Sequence, residues 1–166
     1  MIRNSFIFLE RISKKKEQNI WQQGIKDWQD FLKKDYIKSI SKIKKHYYNR
    51  KIQEAQKAIF NNNSSYFINN LPKIEMWRLY NKFKEESCFL DIEVDSLGKI
   101  ILVGISNNNI HNYDNNNNNN TKFFVKGINL EKNNLEKELE KYKIIVTFNG
   151  SSFDLPKIKK EFKIKI

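Results

Sequence analysis

Two apolar, β-branched runs, CFLDIEV and KIILVGI, stand four residues apart at positions 88–105. Each is long enough for a strand, and the intervening DSLG has the composition of a tight connection, so the pair predicts a β-hairpin. Inside the first run, however, three acids interrupt the apolar pattern: Asp91, Glu93 and Asp95. Strand alternation puts all three on one side, where crowded carboxylates oppose one another's ionisation. Asp95 falls in the turn. Asp91 and Glu93 remain as a pair that must face water or be neutralised.

The hairpin is followed by further sheet and helix signals. TKFFVKG reads as a third strand, LEKNNLEKELEKY as a charged amphipathic helix and KIIVTF as a fourth strand; NGSS turns the chain into a helix begun by FDLPKIKKEF. The predicted fold is therefore α/β, a mixed sheet in the order β-β-β-α-β-α, occupying residues 87–166. Between its second and third strands, the asparagine-rich segment 107–120 has almost no apolar area to bury and reads as a low-complexity loop. His111 lies in that loop and is expected to bind nothing.

Residues 1–86 have a different texture, helical and basic. A short helix over 14–23 stops at Gly24, and Asp27 caps a second through WQDFL, with Asp30 in its first turn. Ser41 caps a longer helix whose apolar stripe is read as Ile43, Tyr47, Ile52, Ala55 and Ile59, ended by NNNSS. Pro72 begins another, with Ile74, Trp77, Tyr80 and Phe83 at three-residue intervals. Trp21, Trp28 and Trp77 are all expected in the core. In KKHYYNR, by contrast, Lys44, Lys45 and Arg50 form a basic face that could contact phosphates, beside His46.

Charge points the same way. The 166 residues carry 31 Lys and Arg against 19 Asp and Glu, a formal charge of +12, which favours a polyanionic partner. The weight of that signal is reduced because abundant lysine, asparagine and isoleucine also follow from AT-rich codons. The single Cys88 can form no intrachain disulfide and has no zinc-ligand spacing, which fits a reducing, cytoplasmic setting. FIFL near the start is too short for a signal-peptide core or a membrane span, so no membrane partner is expected.

The chemistry is concentrated in KIIVTFNGSSFDLPKI. A strand runs into a turn at Asn149 and Gly150, and Asp154 arrives at the start of the next helix. If the first strand is central and the fourth lies beside it, Asp91, Glu93 and Asp154 converge. Clustered carboxylate oxygens suit hard divalent cations, Mg²⁺ or Mn²⁺, which would cancel their repulsion. Two such ions roughly 3.5 to 4 Å apart can activate water and stabilise the leaving oxygen in phosphodiester hydrolysis. Asn149, Lys157 and Lys160 are candidate nucleic-acid contacts beside these acids, with Lys159 a further neighbouring cation.

FLDIEVDSLG and IVTFNGSSFDLPKI resemble the first two motifs of the YprB-type ribonuclease-H-like domain, a branch of the DEDD 3′-to-5′ exonuclease superfamily. SFIFLERISKKKEQNIWQQGIKDWQDFL and LPKIEMWRLYNKF resemble the helical segment preceding that domain, including a helix-hairpin-helix-like start whose usual glycines are here Glu10, Arg11, Ile12 and Ser13. The resemblance implies that Asp91 and Glu93 are the paired metal ligands of the first motif and Asp154 the acid of the second. It implies two Mg²⁺ or Mn²⁺ ions and a nucleic-acid substrate with a single-stranded end. Family members also carry a His or Tyr shortly before a last Asp, and only LPKIKKEFKIKI follows Asp154. The expectation is therefore a ribonuclease-H-like domain without its closing strand and helix. It would be a metal-dependent exonuclease, inactive alone if the last acidic motif is required; the alternatives are a catalytically dead nucleic-acid-binding module, or one fragment of a split exonuclease with a complementing C-terminal fragment.

Overall fold

The computed structural model describes residues 1–107 and 121–164. Most of the asparagine-rich segment, 108–120, thus lies outside the described residues, while Asn107 closes a strand. The chain divides into two compact units, Met1–Lys82 and Phe83–Ile166.

In the first unit, α1 (Lys14–Gln22) is capped by Ser13, and Gly24 follows it with a left-handed φ of 80°. Asp27 caps α2 (Trp28–Lys33) by accepting from the Asp30 N–H at 2.9 Å, and Ser41 caps α3 (Lys42–Phe60). These caps accept orphan amides at helix starts, as the sequence predicts. Pro72 precedes a 3-10 helix, Lys73–Leu79, which runs into the single turn α4 (Tyr80–Phe83). The core gathers Phe6, Trp28, Phe31, Ile52 and Phe67, with the Phe6 and Phe31 rings 5.2 Å apart.

Two expectations about buried faces are corrected. On α3 the inward stripe is Lys45, Tyr48, Ile52, Ala55 and Ile59, while Ile43 is exposed and Tyr47 only half-buried. Counting back from Ile52 at helical spacing leads to Tyr48 and Lys45; Ile43 is about 180° away from that stripe. In the 3-10 segment, three residues per turn do align Ile74 and Trp77, but that edge faces out. The inward edge carries charge instead. Arg78 Nε bonds Glu75 at 2.7 Å and a terminal guanidinium nitrogen bonds Glu17 at 3.0 Å, while Lys14 reaches Glu75 at 2.8 Å. Glu17 also accepts from Ser5 Oγ and from the Phe6 and Ile7 amides. Buried carboxylates persist only when paired and hydrogen-bonded in this way. Of the three tryptophans, Trp28 is buried, Trp21 is half-buried and Trp77 is exposed.

The second unit is built on β1 (Ser87–Val94), β2 (Ile100–Asn107), β3 (Thr121–Val125) and β4 (Ile144–Val146), with α5 (Lys132–Leu139) and α6 (Asp154–Phe162). Strand order is β3-β2-β1-β4; β1 is antiparallel to β2, β2 to β3, and β1 is parallel to β4. This is the mixed sheet the sequence predicts, with β1 central and beside β4. Asp95 organises the hairpin turn: its carboxylate accepts from the Leu97 and Lys99 amides, and Gly98 takes a φ of 72°. Gly98 is where the turn requires a residue without a Cβ penalty.

One sheet face is covered. Cys88, Leu90 and Ile92 of β1, with Val103, Ile105 and Phe124, pack against Leu135 and Leu139 of α5 and Ile158 of α6. The alternate residues of the same strands, Phe89, Asp91, Glu93 and Phe123, stand exposed on the other face. Among the described residues no helix is long and apolar enough to cross a membrane.

Candidate functional site

On the open face of the sheet, Asp91 pairs across the ladder with Gly104, which pairs in turn with Phe123. Gly104 offers no side chain to cover or pair the Asp91 carboxylate. Glu93 is two residues along the same strand and the same face, about 7 Å away by strand rise. Together with Phe89, Val146, Thr147 and Phe148 these residues line a groove of about 710 Å³. Its rim is aromatic: Phe123 is 57% exposed and Phe148 95%.

Asp154 enters from the far side of a compact turn. After β4 ends, Asn149 adopts a left-handed φ of 54°, the Ser152 N–H donates to its carbonyl at 3.1 Å, and the Leu155 N–H donates to the Gly150 carbonyl at 2.9 Å. Gly150 sits where no side chain fits. A Cβ there would lie 2.0 Å from Thr147 Oγ1 and 2.7 Å from Asp154 Oδ2. The glycine therefore lets the end of β4 and the start of α6 close on each other, and Asp154 is held in that crevice with 4% exposure.

Burial pushes the Asp154 carboxyl above its ordinary value, and the charge of Asp91 pushes it further. The two acids are thus in electrostatic contact although one sits on the strand and the other on the helix. Among the described residues, no group of three or more His, Cys, Asp or Glu side chains is gathered so that it could hold a metal ion. The side chains of Asp91, Glu93 and Asp154 offer carboxylate oxygens, the donor type that Mg²⁺ and Mn²⁺ take. By donor chemistry the acids fit such an ion.

The remaining sequence-predicted contacts are distributed. Lys157 lies one turn along α6 from Asp154, its Nζ 3.2 Å from where a Gly98 Cβ would stand, so it lies against the hairpin turn. Lys160 is exposed near the end of α6. Asn149 is exposed, with its carboxamide oxygen accepting from Ser152 Oγ at 2.7 Å. Lys44, Lys45 and Arg50 belong to the other unit. Lys44 and Arg50 are exposed, but Lys45 is buried, donates to Asn49 at 2.6 Å and lies 4.8 Å over the Phe31 ring; burial lowers its pKa. The sequence pattern did not single out Thr147 or the aromatic rim, and it marked Gly150 as a turn residue but not as a steric gap. Phe89 was legible in principle, since it shares the alternation of Asp91 and Glu93.

The second unit, with carboxylates on β1 and at the start of α6, resembles one known family. Residues 88–166 match the RNase_H_2 family model, RNase_H superfamily. The match spans β1 to α6 of the second unit and includes Asp91, Glu93 and Asp154. No curated protein and no solved structure matches the chain.

Proposed function

We propose that the RNase H-like unit is a metal-dependent nuclease of the 3′-to-5′ exonuclease type, with Asp91, Glu93 and Asp154 as the residues that hold Mg²⁺ or Mn²⁺. The observation that carries this reading is that Asp154, held in the crevice that Gly150 leaves beside Thr147, has its carboxyl raised first by burial and then by the charge of Asp91. A bound divalent cation would relieve that opposition and supply electrophilic stabilisation of a phosphodiester together with activation of water. The chain's own contribution is positional. Gly150 and Thr147 fix Asp154, strand alternation presents Asp91 and Glu93 to the open groove, and Phe123 and Phe148 offer ring faces to bases. Lys157 and Lys160 add positive charge along α6 toward an incoming strand. Its lone, buried Cys88 agrees with a reducing, cytoplasmic setting.

The test is release of label from 3′-labelled single-stranded DNA and RNA in Mn²⁺. Wild-type protein should release it, the Asp91→Ala, Glu93→Ala variant should not, and Phe148→Ala should raise the KM. Equal release by wild type and the double variant removes those carboxylates from the mechanism. A second reading, a module that binds nucleic acid without hydrolysing it, is favoured by the absence of a gathered three-acid group among the described residues. It predicts oligonucleotide binding that weakens steeply with salt and no release of label.

A further inference from the structure

The first unit carries a groove of about 890 Å³ that owes nothing to the carboxylates of the sheet. One wall is a single face of α3, where Arg50, Gln53, Lys57 and Phe60 follow at helical spacing, with Gln56 alongside; Arg3 closes the groove from the N-terminal segment. A basic helix face by itself is most often only solvated. Two features set this one apart. Phe60 is 89% exposed, so a large aromatic ring is displayed among three cations rather than buried. The acids in the groove, moreover, are already engaged: Asp27 caps α2, and Glu54 is bonded to Lys51 at 2.8 Å with Arg50 at 3.8 Å. Arg3 and Lys57 have no carboxylate partner among the described residues.

We propose that this groove is a binding site for single-stranded nucleic acid. Arg3, Arg50 and Lys57 would contact phosphates, Phe60 would stack on a base, and the Gln53 and Gln56 amides would serve as donors and acceptors to base edges or sugars. Cations paired with a stacking platform are the physical requirement for sequence-tolerant single-strand binding. Arg50 and Lys57 lie about 10 Å apart along α3 by helical rise, enough to contact separate phosphates of one strand. The site does not depend on hydrolysis by the second unit.

The experiment is fluorescence anisotropy of labelled oligo-dT and oligo-U of about 20 nucleotides, longer than a typical single-fold site. It uses the full chain in chelator, so that no cleavage can occur. The Arg3→Glu, Lys57→Glu variant should bind at least tenfold more weakly at low salt, with the log–log salt slope reduced by roughly 1.4 for two lost single-strand contacts. Phe60→Ala should lose affinity at least fivefold with the salt slope unchanged. Because Phe60 is exposed, that variant should melt like wild type and keeps the test valid if the charge reversals disturb folding. A charge-matched Lys15→Glu, Lys38→Glu control, both exposed and outside the groove, should bind like wild type. No binding by wild type, equal loss in the control, or binding to phosphatidylserine vesicles without oligonucleotide binding would each overturn the proposal.

Discussion

Asp154, sealed at the start of α6, is held above its ordinary carboxyl pKa of 3.8 first by burial and then by the charge of Asp91 on β1. The arrangement works against the stability of the apoprotein at neutral pH. A carboxyl whose pKa is raised by folding binds its proton more tightly when folded, so its ionised form destabilises the fold above both pKa values.

Replacing Asp154 by Asn removes that opposition while keeping the shape. We expect Asp154→Asn to raise the melting temperature of the second unit at pH 7 in chelator by about 4–8 °C, the shift produced by roughly 1 kcal/mol in a unit of fewer than about 100 residues. The gain should vanish as pH falls below the unfolded value of 3.8, where both forms are neutral. Differential scanning calorimetry across pH checks it; a lower melting temperature at pH 7 would mean that Asp154 stabilises rather than strains the unit.

Gly150 has a steric duty as well as a turn to make. Gly150→Ala forces a methyl group into Thr147 and toward Asp154, an overpacking that costs about 1–3 kcal/mol. It should displace Asp154 as well. Urea denaturation of the variant is the measurement, with label release alongside, and wild-type values in both would show that Thr147 gives way freely.

In the first unit, Arg78 joins two buried acids, Glu17 and Glu75. Its removal leaves buried carboxylates short of a partner, a loss of about 3–5 kcal/mol for a broken buried pair. Arg78→Ala should therefore shift the urea midpoint strongly downward. Exposed Lys16, on α1, is the comparison, and Lys16→Ala should change the unfolding free energy by under about 0.5 kcal/mol.

The acid limb of stability follows from groups of the opposite sign to Asp154. Hydrogen bonds from Lys14 and Arg78 hold Glu75 below its ordinary 4.5. Burial pushes Glu138 up, but bonds from Lys122, Lys141 and Tyr142 outweigh it and leave the group below 4.5 as well. Each contributes stability that is fully present above pH 4.5 and is lost as pH falls through the depressed folded pKa. The melting temperature should accordingly drop below about pH 4.5. Glu138→Gln should flatten that drop; an unchanged pH slope would separate Glu138 from acid stability.

Much of this was legible in the sequence because local signals agreed with the fold. Ser41, Asp27 and Gly24 mark helix boundaries by hydrogen-bonding and backbone rules that act within a few residues. Strand runs of alternating or continuous apolar residues likewise identify β1 and β2. The position of β1 between β2 and β4 was a condition of the predicted site, and the sheet order meets it. What local pattern could not supply was the side of an element that faces inward when both sides carry plausible residues. Trp77 lost the interior to Arg78 because the partners of Arg78, Glu17 and Glu75, are themselves buried, and that need is invisible in a three-residue apolar repeat. Gly150 was legible as a turn residue but not as the gap into which Thr147 and Asp154 fit, since that contact exists only once β4 and α6 are packed.

Binding of Mn²⁺ to the isolated full chain tests most directly whether Asp91 and Asp154 are opposed for a cation to resolve. Titration followed by the loss of the free-ion electron paramagnetic resonance signal should show saturable binding by wild type and at least tenfold weaker binding by Asp91→Asn and by Asp154→Asn. Mn²⁺ should also raise the melting temperature of wild type and leave that of Asp154→Asn unchanged. Equal Mn²⁺ affinity in wild type and both variants would contradict the account.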